Sequence, residues 1–204
     1  MQGRRSHGST LLAFKIDLAG AAQQGERAPG LAVFRRQDVE LPGFFRPAKK
    51  WDLVVVKDGE LLAALELKSH IGPSFGNNYN NRTEEALGNA TDLWRAFREG
   101  KFGKSHRPWL GYLMMLEETE GSLSPVAVKE PHFKVFEEFR GASYARRYEL
   151  LCDRLVKESL YNASCLLLSS AESGTRGEYT EPVPELGFER FIKPLVAHVS
   201  AYTR

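Results

Sequence analysis

The chain has 204 residues, with 28 Lys and Arg against 26 Asp and Glu, 42% apolar residues and 2 Cys. This composition excludes disordered, collagen-like and coiled-coil proteins, and the length fits one globular domain. Cys152 and Cys165 form no CxxC pair, which excludes a disulfide framework and a thiolate zinc site. No apolar run approaches the roughly 20 residues of a membrane helix. We therefore expect a soluble protein of the reducing bacterial cytoplasm, without a membrane partner.

The first 50 residues predict few regular elements. Residues 11–24 carry apolar side chains at helical spacing, which predicts a helix. Residues 31–36 predict a short strand. Residues 42–50 contain two prolines and a glycine and predict a loop, which is both basic and aromatic because it contains Phe44 and Phe45 beside three cationic residues.

The strongest local signal is a β-hairpin over residues 51–68. An apolar, β-branched run is followed by the turn signature Lys57-Asp58-Gly59-Glu60 and then by a second apolar run. The remaining elements follow in order: a loop over 71–82, a helix over 83–99, a basic loop over 101–107, a strand over 109–116, a helix over 143–160, a strand over 164–169 and a helix over 186–202. This order predicts an α/β fold with a mixed β-sheet flanked by helices.

Three charged residues of the hairpin are candidates for chemistry. Glu66 and Lys68 are two residues apart on the second strand and therefore share a face. A plain two-residue turn would place Asp52 opposite Leu65 and turn Glu66 to the other face. A three-residue loop, or a bulge at the turn glycine, would bring Asp52, Glu66 and Lys68 together. The functional interpretation therefore predicts a bulged turn.

The charges of these residues indicate a metal site. Glu66 and Lys68 interrupt an apolar strand, where ionised groups are costly unless they are paired or bind a metal. Two carboxylates without His or Cys favour a hard cation such as Mg²⁺ or Mn²⁺, and an adjacent lysine can orient a water on it. The competing interpretation is a surface hairpin with ordinary charged residues on its solvent face.

Longer stretches of the sequence resemble a known family. The segments KKWDLVVVKDGELLAALELKSH, GPSFGNN, NNRTEEA, RPWLGYLMMLEE and YARRYELLCDRLVKESLY are similar to the XhoI/PaeR7I family of type II restriction endonucleases. The similarity extends from about residue 41 through most of the chain. It implies the PD-(D/E)xK restriction-endonuclease-like core and Mg²⁺-dependent cleavage of double-stranded DNA at the palindrome CTCGAG. It also implies that Asp52 and Glu66 are the metal ligands and Lys68 the catalytic lysine.

The start of the chain departs from that family. Family members usually carry a longer helical N-terminal segment before the strand that precedes KKWD, whereas here only 51 residues precede Asp52. We therefore expect residues 1–204 to form a single endonuclease domain that lacks part of the family's N-terminal helical segment. A further acidic metal ligand from this region would be Glu26, Asp38 or Glu40, and the sequence does not choose among them.

Two groups of residues are candidates for contact with DNA. Amide and guanidinium groups follow the hairpin at Asn77, Asn78, Asn80, Asn81 and Arg82, and can form bidentate bonds to base edges. The competing interpretation is a turn-rich loop in which one Asn caps the helix at Thr83. The candidates for phosphate contact are Lys49, Lys50, Lys101, Lys104 and Arg107. His70 is either near the site or an ordinary loop residue.

The sequence therefore predicts a type II endonuclease that acts as a homodimer, because two-fold protein symmetry matches a palindromic site. A cognate DNA methyltransferase would act on the same site without having to bind this chain. The alternative is a truncated, catalytically inactive restriction-enzyme remnant that at best binds DNA. A repair or resolving nuclease would account for the three charged residues but not for the longer matches.

Overall fold

A computed structural model describes residues 29–202. Its centre is a five-stranded sheet in the order β1, β4, β5, β6, β7. The strands are β1 (Leu31–Phe34), β4 (Leu53–Lys57), β5 (Glu60–His70), β6 (Trp109–Glu117) and β7 (Ala163–Ser169). β1, β4 and β5 pair antiparallel, whereas β5, β6 and β7 pair parallel. The predicted mixed α/β fold is confirmed.

Helices connect the parallel strands, because parallel neighbours need a crossover. The helices are α1 (Phe75–Arg98), α2 (Glu120–Leu123), α3 (Tyr144–Lys157), α4 (Ala171–Thr175) and α5 (Phe188–Ala201), with 3-10 turns at Glu137–Phe139 and Pro184–Leu186. None of the helices described is long and apolar enough to cross a membrane.

Each face of the sheet is covered by its own hydrophobic cluster. Val54, Ala64 and Tyr112 pack with α1 and α3 on one face. Val55 and Leu65 pack with α5 on the other face. Because successive strand residues point to opposite faces, Glu66 and Lys68 follow Ala64 onto the α1 face. The sheet therefore directs the two charged residues toward α1.

Two predicted loops contain regular structure. The loop over 42–50 includes part of a second, two-stranded sheet of β2 (Glu40–Pro42) and β3 (Ala48–Lys50). The prediction of a loop over 71–82 is wrong from residue 75 onward, because α1 begins at Phe75 and the Asn-rich run forms its first turns. Asn is a poor helix former, but Phe75 and Tyr79 pack against α3 and stabilise this end of the helix. No Asn of the run caps a helix at Thr83, and the helix predicted over 11–24 lies outside the described residues.

His70, at the end of β5, has a structural role. The residue is buried, its Nδ1 lies 2.7 Å from the Tyr148 hydroxyl, and its ring packs against Phe75. Burial lowers the pKa of His70 and so favours the neutral imidazole. The ring joins β5 to α1 and α3.

We expect Tyr148→Phe to destabilise the protein by about 1–3 kcal/mol, because a buried imidazole nitrogen loses its hydrogen-bond partner. Urea unfolding monitored by circular dichroism measures the change. Tyr179→Phe is the control, since Tyr179 is 38% exposed and should cost less. Equal losses for the two variants would contradict the structural role of the pair of His70 and Tyr148.

Candidate active site

The hairpin has a plain turn and a bulge further along its second strand. Asp58 and Gly59 both adopt the left-handed conformation, with φ of 50° and 83°, as in a two-residue type I′ turn. The pairing then shifts from Val56 opposite Leu61 to Val55 opposite Ala63, which makes Leu62 the extra residue. Leu62 and Ala63 are both buried against the α5 face. The bulge therefore reverses the alternation of every residue beyond it.

This register brings the candidate residues together. Leu53 lies opposite Leu65, so Asp52 is placed opposite Glu66 on the α1 face. The Asp52 carboxylate accepts the Leu67 N–H at 2.8 Å, and the Asp52 N–H donates to the Leu65 carbonyl at 3.1 Å. The register required by the functional interpretation is thus observed. The predicted position of the bulge in the turn is wrong, because the Asp-Gly pair closes a two-residue turn and the extra residue is buried in β5 instead.

Glu66 is the centre of a charged cluster. It is 1% exposed, and its carboxylate pairs with Lys68 and lies 2.6 Å from the Lys49 ammonium group. The side-chain amide of Asn89 on α1 lies 3.4 Å from the same carboxylate. Two cations near one buried carboxylate compensate its charge, and Lys68 also lies 3.3 Å from Glu85. Lys49, predicted as a phosphate contact, is therefore part of this cluster in the protein alone.

The electrostatics of the cluster keep Lys68 cationic. Burial alone would lower the pKa of Lys68, but attraction by Glu66 and Glu85 outweighs it and the pKa is raised. The side chain is 21% exposed, so it is partly accessible from solvent. A protonated lysine donates hydrogen bonds and stabilises negative charge. Lys68 is thus equipped to orient a water or phosphate oxygen rather than to accept a proton.

Helix α1 also contributes polar residues to the site, and these were not predicted. Glu85, Asn89 and Asp92 follow one another at spacings of four and three residues, which places them on one face of the helix. Asn89 and Asp92 are buried, so this polar face points at the protein and not at solvent. The signal in the sequence is the spacing itself, since polar residues at helical spacing beside the apolar face of Ala86, Ala90 and Leu93 indicate an internal polar network. Arg46 joins this network through Asn89 at 2.6 Å and Asp92 at 2.7 Å.

The predicted DNA-contacting residues are found in three places. Asn77, Asn78, Asn80, Asn81 and Arg82 lie on the first turns of α1, and Arg82 pairs with Glu85 at 2.7 Å, next to Lys68. Lys50 is exposed on β3. Lys101, Lys104 and Arg107 are exposed beyond the other end of α1, where Ser105 accepts the Leu61 N–H. That end is about 15 Å from Glu66 along β5.

Two of the three further acidic candidates lie among the described residues. Asp38 and Glu40 are both exposed, and Glu40 lies opposite Lys50 in the small sheet. Glu26 is outside the described part of the chain. Within residues 29–202 no group of three His, Cys, Asp or Glu side chains forms a complete metal cage. A cation at this site would therefore rely on few protein ligands.

The donor set fits a hard divalent cation of this kind. Mg²⁺ is held in nucleotide and phosphate sites by one or two carboxylates, with water and substrate oxygens completing its shell. Asp52 and Glu66 supply two carboxylates from facing positions of the hairpin. The Lys49 ammonium group lies 2.6 Å from Glu66, so a cation already contacts this carboxylate and a metal ion would have to compete with it. The two acids are suited to a metal that remains partly hydrated.

Comparison with known proteins identifies the family of this chain. The family described as Restriction endonuclease XhoI matches residues 18–181. The chain belongs to the XhoI restriction endonuclease family. The resemblance inferred from its sequence motifs is confirmed, and the XhoI match includes every element from β1 to β7 together with Asp52, Glu66 and Lys68.

Named relatives of the XhoI family agree with this assignment. Type II restriction enzyme BstVI from Geobacillus stearothermophilus is 55% identical over 173 residues, which are 82% of this chain and 77% of the relative. XhoI from Xanthomonas vasicola is 52% identical over 121 residues, or 59% of this chain and 49% of the relative. AbrI from Azospirillum brasilense is 57% identical over 100 residues, or 49% of this chain and 45% of the relative. The matches thus cover less than half of the latter two proteins. No solved structure matches the chain.

Proposed function

We propose that this chain is a type II restriction endonuclease that hydrolyses double-stranded DNA at a palindromic site. Its resemblance to the XhoI/PaeR7I family favours CTCGAG as that site and Mg²⁺ as the metal. The relatives carry the name type II restriction enzyme, which supports the same reaction class for this chain. The fold, with an antiparallel hairpin joined to two parallel strands, is the kind of sheet expected for a PD-(D/E)xK core.

One observation carries the proposal. The bulge at Leu62 places Asp52 opposite the buried Glu66, and Lys68 lies two residues further along the same face. Burial of a carboxylate is costly for folding even when cations compensate its charge, and replacing such a pair by apolar residues is often neutral or stabilising. Such arrangements concentrate at functional sites. This cluster is therefore the proposed catalytic centre.

The roles of the residues follow from their charges. Asp52 and Glu66 would hold Mg²⁺, which would acidify a water and neutralise charge on the phosphate. The Leu67 N–H fixes the Asp52 carboxylate, and Asn89 restrains Glu66 from the α1 side. Lys68, which is held cationic by Glu66 and Glu85, orients the attacking water and stabilises the charge that develops on the phosphate. In-line attack then leaves a 5′-phosphate and a 3′-hydroxyl.

We also propose a homodimer with one such centre for each DNA strand. A palindromic site presents the same groups twice, related by a two-fold axis, and two copies of one chain match it. The Asn-rich start of α1 lies close to Lys68 through Arg82 and Glu85, so its side chains are candidates for reading bases near the scissile phosphate. The cognate methyltransferase would protect the same site in the host without binding this chain.

The proposed function is tested with two end-labelled duplexes, one containing CTCGAG and one with a single base pair changed. We expect cleavage of both strands of the first duplex in Mg²⁺, and no cleavage of the second duplex or in EDTA. Sedimentation of the DNA complex should give the mass of two chains on one duplex. Binding of the cognate duplex without cleavage would contradict the proposed endonuclease activity and favour the alternative of a catalytically inactive restriction-enzyme remnant.

Lys104→Ala is expected to weaken binding to all DNA sequences alike, because a phosphate contact carries no sequence information. The slope of log K against log salt concentration should fall by about one. Gel shifts at several salt concentrations measure both effects. Lys193→Ala on α5, on the opposite face of the sheet from α1, is the control and should change neither. A loss confined to the cognate site would rule out a phosphate contact for Lys104.

A further inference from the structure

The tip of the β2–β3 hairpin, residues 43–47, is held in place by a buried acid. The Asp92 carboxylate on α1 accepts the Phe44 N–H at 2.7 Å and the Phe45 N–H at 2.8 Å. It also pairs with Arg46 Nε at 2.7 Å. A Cβ at Gly43 would lie 2.5 Å from an Asp92 oxygen, so the approach of the acid requires glycine there. The tip is thus fixed by its backbone and not by burial of its side chains.

This fixation presents two aromatic rings to solvent. Phe45 is 71% exposed and Phe44 is 45% exposed, with their ring centroids 4.9 Å apart. Arg95 lies over the Phe44 ring at 4.8 Å and leaves Phe45 as the projecting side chain. Burying the Asp92 carboxylate is costly, and its hydrogen bonds from the N–H groups of Phe44 and Phe45 offset that cost. The Phe45 ring is therefore both held in position by its backbone and available to a partner.

The same network connects the tip to the proposed catalytic centre. Arg46 donates to the Asn89 side-chain oxygen at 2.6 Å, and the Asn89 amide lies 3.4 Å from Glu66. Lys49, in the strand that leaves the tip, lies 2.6 Å from Glu66. Phe45 precedes Lys49 by four residues, so the two lie at most about 13 Å apart along the chain. A DNA strand whose phosphate reaches Glu66 and Lys68 therefore passes within reach of the tip.

The charges around the tip also suit DNA. Residues 43–50 contain three cations and no acidic residue. Arg46 pairs with Asp92 and Lys49 with Glu66, so the cation that remains exposed is Lys50, which lies opposite Glu40. Apolar side chains on such elements insert against base steps and partly unstack them, while neighbouring cations contact phosphates. Among the described residues, Phe133 is even more exposed, at 88%, but has no buried acid bonded to its backbone N–H group.

We propose that Phe45 is a wedge that contacts a base step of the bound duplex beside the scissile phosphate. The inference rests on the proposed function, because it assumes that DNA binds at the cluster of Asp52, Glu66 and Lys68. Asp92 and Arg46 are positioning residues that hold the wedge, and Lys50 contacts a neighbouring phosphate. The ligand is the face of an unstacked base, which favours an aromatic ring over a charged group.

The test compares Phe45→Ala with Phe133→Ala, which removes a ring that is 88% exposed elsewhere. Anisotropy of a labelled CTCGAG duplex in EDTA measures affinity, and 2-aminopurine placed at successive steps reports unstacking. We expect Phe45→Ala to weaken binding by about 10-fold to 100-fold and to abolish the fluorescence rise seen with the wild type. The salt dependence should stay unchanged, because no charge is removed. Phe133→Ala should behave as the wild type, and Phe45→Leu should retain part of the affinity.

The outcomes separate this inference from the proposed function. Failure of the wild type to bind DNA contradicts the proposed function and removes the basis of the wedge with it. Normal binding and unstacking by Phe45→Ala overturn the wedge alone. A fall in the sedimentation mass of Phe45→Ala without DNA would assign the ring to contact between two copies of the chain, and this too overturns the wedge. Thermal unfolding of each variant checks that the fold is intact.

Discussion

Lys68→Met is expected to lower the rate of DNA cleavage by at least about 100-fold while leaving DNA affinity within a few fold. Methionine keeps most of the volume of the lysine stem but removes the ammonium group that lies beside Glu66 and Glu85. The pKa of Lys68 is raised by these acids, so the wild-type enzyme carries a full positive charge there at neutral pH. Single-turnover cleavage of a labelled duplex measures the rate without interference from product release.

The matched control is Lys57→Met in the same hairpin. Lys57 is similarly half-buried and pairs with Asp58 at 3.0 Å, but it lies at the turn, far from Glu66. We expect its cleavage rate to stay close to that of the wild type. A rate for Lys68→Met equal to that of Lys57→Met would show that the charge at residue 68 takes no part in the reaction. Lys68→Arg is also expected to cleave slowly, because a guanidinium group differs from an ammonium group in shape and reach.

Asp52→Asn is expected to lower cleavage by at least about 100-fold at a fixed Mg²⁺ concentration. The asparagine side-chain oxygen can still accept the Leu67 N–H, so the hairpin geometry is retained. The negative charge needed to hold a divalent cation is lost. Titration with Mg²⁺ distinguishes weaker metal binding from a slower chemical step. A weakened metal site shifts the Mg²⁺ concentration required for the half-maximal rate to higher values.

Asp58→Asn provides the control for this change. Asp58 adopts a left-handed conformation that asparagine also tolerates, and its carboxylate faces Lys57 at the turn. Its cleavage rate and its dependence on Mg²⁺ should match those of the wild type. If Asp52→Asn also keeps the wild-type Mg²⁺ dependence, Asp52 is not a metal ligand and the proposed pair of acids is wrong.

The hairpin could be predicted from the sequence because all of its signals are local. The β-branched first run, the apolar second run and the Asp58-Gly59 turn specify two strands without reference to the rest of the protein. The register could not be predicted in the same way. The bulge at Leu62 depends on burial of Leu62 and Ala63 against α5, which lies more than a hundred residues further along the chain. Local patterns identify the residues of the site, while this distant packing decides that they meet.

The start of α1 shows a different limit. Residues 77–81 contain four Asn, and their intrinsic preference is for turns and caps. Packing of Phe75 and Tyr79 against Tyr144 and Tyr148 outweighs that preference and extends the helix by two turns. Because of this extension, Arg82 and Glu85 share one helix and pair beside Lys68. The contribution of Arg82 could be recognised only once the helix was known to include it, whereas Glu85 already lay within the predicted helix over 83–99.

The small β2–β3 sheet could not be predicted from the composition of its segment. Its strands have three residues each and are separated by a tip rich in Pro, Gly and aromatic residues, which predicts a loop. What fixes the tip is Asp92, more than forty residues away on α1. The sequence indicated that this segment was basic and aromatic. Its rigid connection to Glu66 through Arg46 and Asn89 became visible only in the structure.

We expect the buried carboxylate of Glu66 to be required for metal-dependent cleavage. The most direct measurement uses a supercoiled plasmid with one CTCGAG site, incubated with the wild type or Glu66→Ala, with and without Mg²⁺. We expect linear product from the wild type in Mg²⁺ alone, and none from Glu66→Ala, which should still shift the duplex in a gel. Glu60→Ala, on the same strand at the turn, should cleave normally. Linear product from Glu66→Ala would contradict the account.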